Sequence, residues 1–484
     1  MPPGARVSRN CGNCRSIKRR CIRAREECSG YRDEWELVFH DQTTHTIKRS
    51  KEIRAKTASL TNRNGSPATR SPSPSIEEVG VNYFLFHFVT GGLAPARGYL
   101  NYVPAVYSAD GEHPTLVASM AAVGLAAMAN STQQPELAKR AHAKYQEAIQ
   151  TVNLALKSPI ESVKDSTLMS VISLGLFEQV ANFETWCRYV KGSVALVISR
   201  GKSQFSTLAA IPMFNQVRAD MCAACVHSQE PFPAEMLELQ EEATKQADTS
   251  SGFWLLGVLA TRCINLLSDV TMTTINDAAT LTHFMEESSA LQRDFQYVLG
   301  IFSKQEPYET VLDYKGDPDF IYNSRFDLYR NSWAIRLWNN SRVLQVIVCE
   351  IQFHLFAKAL TADLPPAHMT QLEIALEETC QTLINLGGDI LATVPQSLGI
   401  VSSTTQPHTP TDSSANTSVS GGHMLMWCLY TVGKSPVTRS WTRKWIMRRL
   451  QDIGQNAGLP MALQFVKDID EIENAASLLE LKSP

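Results

Sequence analysis

The chain has no apolar stretch long enough to cross a membrane without interruption. None of its runs approaches the roughly 20 consecutive apolar residues that a membrane helix needs. The longest one, Leu116 to Ala129, is short and rich in alanine, so we interpret it as a buried helix. The first ten residues lead into basic side chains with no apolar segment behind them, which predicts no secretory signal. We therefore expect a protein of the cytosol or nucleus with reduced cysteines and no membrane partner.

Enzyme fingerprints are also missing. The sequence has no nucleophile elbow, zinc-protease motif, phosphate loop or dinucleotide-binding motif, and we predict that the chain is not an enzyme. Two places invite a catalytic or metal interpretation, namely His423 and the pair Cys222 and Cys225 with His227 nearby. Because helical periodicity accounts for the two cysteines, core packing is the favoured interpretation and a second metal site is the alternative.

Acidic residues are absent from the first 25 positions, which hold eight Arg and Lys. Residues 1–70 carry 16 basic and 7 acidic side chains, a charge of +9, whereas the whole chain of 484 residues has a net charge of −3. The rest of the chain therefore carries −12. A concentrated positive field attracts phosphate backbones, so this end is predicted to bind nucleic acid.

Four of the 11 cysteines have the spacing C-x2-C-x6-C-x6-C, while the other seven are scattered between Cys187 and Cys428. This spacing suits zinc, which binds four thiolates tetrahedrally. The predicted ligands are Cys11, Cys14, Cys21 and Cys28. Basic side chains beside the metal can contact guanine edges and phosphates in the major groove; the alternative is a zinc knob with a solvated basic face. The predicted DNA-binding residues are Arg15, Lys18, Arg19, Arg20, Arg23 and Arg25.

The segments CGNCRSIKRRC and CIRAREECSGYRD resemble the two ends of the motif of fungal six-cysteine binuclear zinc cluster transcription factors. In that family, six thiolates hold two zinc ions. Here Cys21 stands in the place of both the third and the fifth ligand, and four thiolates are expected to hold one zinc ion at most. Two explanations stay open: a mononuclear site that keeps the first basic helix, or a motif shortened by an exon-boundary error.

The remainder of the chain resembles the all-helical fungal-specific transcription factor domain that follows the zinc cluster in this family. The segments that carry this resemblance are YVPAVYSADGEHPTLVASMAAVGLAAMAN, SLGLFEQV and WCRYVKGSVALVISRGKSQF. The resemblance implies a nuclear, sequence-specific regulator of RNA polymerase II transcription, for example of a metabolic or secondary-metabolite gene cluster. Its implied partners are double-stranded DNA with CGG-containing sites, a second copy in a homodimer, and the transcription machinery. The alternative is a co-regulator that does not bind DNA and acts through its helical domain.

Composition predicts a three-part organisation. Residues 1–35 form the zinc module, residues 36–78 a basic and Ser/Pro-rich flexible linker, and residues 79–484 an all-helical regulatory domain with a disordered loop at 402–422. The basic runs also suit nuclear import, with Lys18, Arg19, Arg20, Lys48, Arg49 and Lys51 as candidates. The regulatory domain offers room for an effector pocket between helices, but the sequence names none of its residues.

The fold class predicted for the regulatory domain is mostly α, because apolar residues recur at spacings of three and four and strand patterns are nearly absent. One helix is expected from Pro135 to a stop at Ser158-Pro159, and another from just after Asn182 to a stop at Arg200-Gly201. Further helices are expected over 161–179, 203–228, 232–246, 252–268, 275–302, 321–363 and 367–391.

Overall fold

The computed structural model describes residues 74–90, 98–110, 113–181, 183–361, 366–401, 419–457 and 459–480. Contacts within the chain divide it into two units. The first comprises Met1–Ser75 and Gly91–Pro95, and the second comprises Ile76–Thr90 and Ala96–Pro484. All helices and strands of the described residues belong to the second unit.

The second unit is built mostly of α-helices, which confirms the mostly-α prediction for the described residues. Its first half contains α1 (Ile76–Phe88), α2 (Val103–Asp110), α3 (Pro114–Thr132), α4 (Pro135–Lys157), α5 (Asp165–Ala181), α6 (Phe183–Arg200), α7 (Ala210–Ser228) and α8 (Ala234–Thr244). Its second half contains α9 (Gly252–Met272), α10 (Ala278–Gln305), α11 (Ser332–Ala359), α12 (Pro366–Leu391), α13 (Val394–Ser397), α14 (Val419–Lys434), α15 (Ser440–Asn456) and α16 (Pro460–Glu480). The first helix begins three residues before the predicted domain start at 79, so residues 76–78 are helix rather than linker.

Helix α4 shows how the sequence produces these elements. Pro135 occupies the first turn, where its missing N–H costs nothing, and the side chains of Ala141, Tyr145, Ala148 and Val152 are buried along one stripe. The remaining surface of the helix is mostly polar and exposed, although Leu154 and Leu156 are also exposed there. The predicted stop is confirmed, since the helix ends at Lys157 directly before Ser158.

Helices α3 and α9 are long and apolar enough to span a membrane by length and composition alone. Of the most apolar window, 67% is buried within the fold in α3 and 50% in α9. Core helices of soluble proteins meet the same test, so these two helices are weak evidence for a membrane span. In α3 the burial agrees with the prediction of a buried helix over Leu116 to Ala129.

Two helices cross at very small separation where α1 meets α3. Gly80 of α1 and Gly124 of α3 face each other, and a Cβ atom added at Gly124 would collide with the Gly80 carbonyl oxygen. Glycine is required at this crossing because any side chain would push the two backbones apart. Both helices belong to a single apolar core that extends from Val81 to Ile469.

The predicted helix over 321–363 is wrong in its first part. Phe326–Tyr329 forms strand β2, which pairs antiparallel with strand β1, Tyr308–Val311. Helix α11 begins only at Ser332, where the side chain of Asn331 accepts a hydrogen bond from the Ala334 amide at 2.9 Å. The strand pairing and the Asn331 cap fix the start of α11 at Ser332. The sequence did not indicate the strands, because each has only four residues and gives little periodic signal.

Two further boundaries need correction. The predicted helix over 203–228 is broken, since residues Lys202–Ser206 form a 3₁₀ helix and α7 begins at Ala210. The predicted disordered loop at 402–422 is wrong for its last four residues, which form the start of α14. Residues 402–418 lie outside the described residues. Because Gly422 has no side chain, α14 packs closely on Ile453 of α15, which the polar composition of the segment did not indicate.

Candidate functional site

Every residue predicted to bind zinc, contact DNA or direct nuclear import lies outside the described residues. These are Cys11, Cys14, Arg15, Lys18, Arg19, Arg20, Cys21, Arg23, Arg25, Cys28, Lys48, Arg49 and Lys51. Their roles therefore stay predictions. Within the described part of the chain, no group of three or more His, Cys, Asp and Glu side chains is arranged to hold a metal ion.

The pair Cys222 and Cys225 packs in the core. Both side chains lie on the buried side of α7, at 5% and 1% exposure, whereas His227 is exposed. Burial raises the pKa of Cys225 to about 12, so its thiol stays protonated at neutral pH. The core-packing interpretation is confirmed for these two cysteines.

The most distinctive site of the described residues is a cavity of about 150 Å³ between helices, which we call the interhelical cavity. Its walls come from α5, α6, α7, α11, α14 and the start of α16, together with the segment that precedes α2. Most of the lining is aromatic or aliphatic, but several polar and charged side chains also face it. A concave apolar pocket with a few convergent polar groups is the usual form of a small-molecule site.

A chain of polar contacts at the cavity joins α7, α11, α14 and the segment that precedes α2. Arg336 of α11 donates through Nη2 to the Gln216 side-chain oxygen at 2.7 Å, and Gln216 of α7 donates to Asp220 Oδ1 at 2.8 Å. Arg336 also lies over the ring of Tyr99, with 4.8 Å from its guanidinium carbon to the ring centroid. The Tyr99 hydroxyl is 3.1 Å from His423 Nδ1 of α14.

Helical spacing explains why these side chains meet. Gln216 and Asp220 are four residues apart on α7 and therefore share one face, which also carries Ala223. Arg336 and Asn339 are three residues apart on α11 and face the same cavity. Two helices thus present polar faces across an otherwise apolar space, and α14 closes it from a third side.

The charges at the cavity balance at neutral pH. Burial raises the pKa of Asp220 to about 6, partly offset by the hydrogen bond from Gln216 and by the nearby Arg336. Burial together with the Arg336 charge lowers the pKa of His423 to about 4. At pH 7 the Asp220 carboxylate is therefore mostly ionised, His423 is neutral, and the charges of Asp220 and Arg336 cancel.

One polar group at the cavity has no protein partner. The side chain of Tyr102 is 1% exposed, and its hydroxyl makes no hydrogen bond within the described residues. Buried hydroxyls are almost always hydrogen-bonded, because leaving one unpaired costs about 1–3 kcal/mol. Burial and the nearby Asp220 raise the pKa of Tyr102 well above its usual range. The side chain is therefore a neutral phenol, and its hydroxyl can donate a hydrogen bond.

Comparison of the chain with protein-family models, with curated proteins and with solved structures found no match. Of the cavity residues, the sequence singled out only His423. A signal for a second one was present, because Asp220 is an acidic residue within an apolar helical stretch. The remaining residues are ordinary members of amphipathic helices and carry no motif.

The ionisation of Asp220 is expected to make stability depend on pH. An acid whose folded-state pKa is raised from 3.8 to about 6 keeps its proton longer in the folded state, so its contribution to stability falls as pH rises through that window. We expect Asp220→Asn to gain about 2 kcal/mol in the free energy of unfolding, relative to the parent, between pH 4.5 and pH 7. Urea unfolding at both pH values measures this change.

His423 has the opposite sign, since its folded-state pKa lies below 6.5 and its contribution to stability falls as pH is lowered. The effects of Asp220 and His423 on the pH dependence of stability therefore partly cancel in the parent. The effect of Asp220 alone is obtained by comparing Asp220→Asn with the parent at each pH. An equal effect of Asp220→Asn at the two pH values would contradict the raised pKa.

Proposed function

We propose that this chain is a zinc-dependent, sequence-specific DNA-binding regulator of RNA polymerase II transcription in the nucleus. One observation carries the proposal: four cysteines at zinc-ligand spacing stand among basic residues in a segment whose first 25 positions contain no acid. That combination joins a metal-stabilised scaffold to a surface that attracts phosphate. The large helical second unit fits a regulatory body that follows such a module.

In this proposal one zinc ion binds the four thiolates of Cys11, Cys14, Cys21 and Cys28 and fixes the fold of a segment too short to bury a core. The basic residues between Cys14 and Cys28 then have separate tasks. Lys18 is assigned to a guanine edge, and its neighbours in sequence to phosphates. The proposed targets are CGG-containing sites in double-stranded DNA.

The test combines a zinc count on the full-length chain with binding of labelled DNA. We expect one zinc ion per chain, and Cys14→Ser should remove it and weaken binding to a CGG-containing duplex by about 1,000-fold or more, the lower end of the range between specific and non-specific binding. Cys187→Ser is the matched control, because this half-buried cysteine of α6 lies outside the cysteine cluster. A Cys14→Ser chain that keeps both zinc and affinity contradicts the proposal.

Two basic residues allow a finer test of how DNA is read. Lys18→Ala should reduce the preference for the CGG-containing duplex over a scrambled one by about tenfold, because a guanine contact is lost. Arg9→Ala should weaken binding to both duplexes equally and reduce the slope of log affinity against log salt by about one. Titrations at several salt concentrations separate these effects.

A second function is favoured by the cysteine count itself. Because the sequence has four cysteines where the resembled motif has six, the chain is alternatively a co-regulator that does not contact DNA and acts through its helical unit. The same experiment distinguishes the two. Absence of stoichiometric zinc and of salt-sensitive DNA binding would favour the co-regulator.

A further inference from the structure

We propose that the interhelical cavity binds a small, uncharged aromatic molecule that carries a hydroxyl group, the size of phenol. The proposal concerns the second unit alone and does not depend on zinc or DNA binding. It follows from four properties of the cavity: its volume, its walls, its unpaired hydroxyl and its balanced charge.

The volume sets the size of the ligand. A cavity of about 150 Å³ matches the cavity volume known to take up benzene in an engineered protein core. A molecule of one ring with one or two small substituents fits this space, whereas a nucleotide, a fused-ring cofactor or a peptide does not.

The walls favour a planar aromatic molecule. Four aromatic side chains line the cavity, namely Tyr99, Tyr102, Trp186 and Trp427. Aromatic rings gain from stacked and edge-to-face contacts with one another beyond the burial of apolar area. Met424 and Met461 complete the apolar lining, and their unbranched side chains adapt to the outline of a bound ring.

The polar groups define what the ring must carry. Tyr102 and Asp220 both line the cavity, and Asp220 is near enough to raise the pKa of Tyr102. The Tyr102 hydroxyl lacks a protein partner and is able to donate, while the Asp220 carboxylate accepts from Gln216 through Oδ1 and can accept a further bond. A hydroxyl on the ligand both accepts from Tyr102 and donates to Asp220. It would satisfy a buried donor and gain a charge-assisted hydrogen bond in one position.

The charge balance excludes ions. The Arg336 guanidinium donates to Gln216 and lies over the Tyr99 ring, and Gln216 in turn donates to Asp220, whose carboxylate carries the opposite charge. An added anion would meet the Asp220 carboxylate, and an added cation would meet Arg336. Either ion would also lose its hydration without gaining a free counter-charge, which is costly in a buried site.

The experiment uses the full-length chain and four probes of equal ring size: phenol, benzene, benzoate and benzylammonium. Binding is measured by isothermal titration calorimetry and by the shift of the thermal unfolding midpoint. We expect phenol to bind with 1:1 stoichiometry and at least tenfold more tightly than each of the other three. Benzoate or benzylammonium binding as tightly as phenol would overturn the assignment to a neutral ligand.

Tyr102→Phe tests the polar contact. This variant removes a buried hydroxyl that has no protein partner, so it should fold at least as stably as the parent. We expect it to bind phenol about tenfold more weakly, which corresponds to one hydrogen bond, and to bind benzene unchanged. Tyr297→Phe makes the same chemical change at a side chain that is 68% exposed and should leave phenol binding unaltered.

Ala223→Met tests the location. Ala223 lines the cavity on α7, and a methionine there fills the space that the ligand needs. We expect this variant to lose binding of phenol and benzene alike while its thermal midpoint without ligand changes little. Phenol affinity unchanged in both Tyr102→Phe and Ala223→Met, or no phenol binding by the parent, would overturn the proposal.

Discussion

Gly124→Ala is expected to lower the free energy of unfolding by about 3 kcal/mol, the upper part of the range for overpacked cores. The added methyl group would occupy the position of the Gly80 carbonyl oxygen and would also lie 3.0 Å from the Phe84 amide nitrogen. Both of these are backbone atoms of α1, which cannot rotate away as a flexible side chain would. Helix α1 must therefore separate from α3, and the contacts that both helices make with the core are lost together.

The control for this prediction is Gly192→Ala on α6. Gly192 is exposed, and a Cβ atom added there meets nothing within 4 Å. Because alanine favours helix over glycine, this variant should gain about 0.5–1 kcal/mol. Equilibrium unfolding in urea, followed by circular dichroism, compares both variants with the parent. Equal responses at the two glycines would show that the crossing is not tight.

Asp327→Ala is expected to cost about 3–5 kcal/mol, the range for removing one member of a buried ionic network. The Asp327 side chain of β2 is fully buried and accepts a hydrogen bond from Thr310 Oγ1 at 2.8 Å. Arg325 Nη2 lies 3.3 Å from each of its oxygens, and Arg342, at 2% exposure, has its Nη2 3.9 Å from Oδ2. Removal of the carboxylate leaves the Arg342 charge deep in the fold, with no other carboxylate of the described residues within 4.0 Å.

The matched control is Asp294→Ala, which breaks an ion pair of shorter distance on the surface. Asp294 Oδ2 lies 2.6 Å from Arg262 Nη1, with the two side chains 46% and 43% exposed. Water screens this pair, so its loss should cost less than about 1 kcal/mol. We expect the comparison to show that burial, and not distance, decides what an ion pair contributes to stability. A cost at Asp327 as small as that at Asp294 would contradict this.

Local signals account for the parts of the fold that were predicted well. The amphipathic helix α4 has a proline at its start, an apolar stripe and a Ser-Pro stop, and the prediction was confirmed at both ends. The strand pairing of Tyr308–Val311 with Phe326–Tyr329 was missed because it depends on contacts between segments, which periodicity within one segment does not report. The start of α14 is missed because its serine and glycines resemble loop composition, yet at Gly422 the lack of a side chain permits close packing on Ile453 of α15.

The interhelical cavity could not be located from the sequence for a similar reason. A pocket between helices has no motif of its own, since each wall contributes one or two side chains to a helix that is otherwise ordinary. Only the fold shows that Asp220 and His423 belong to the same site. The predicted zinc ligands are a different case, because the four cysteines lie within 18 residues and the prediction depends on their spacing alone. They lie outside the described residues, so this site stays a prediction.

The contact between Tyr99 and His423 has a consequence for synthesis of the protein. The two residues are separated by 324 positions in the chain. At roughly 5–20 residues per second, the ribosome delivers His423 about 16–65 s after Tyr99. During that interval Tyr99 lacks its contact with His423 of α14. A chain that ends before α14 therefore lacks one of the helices that line the interhelical cavity.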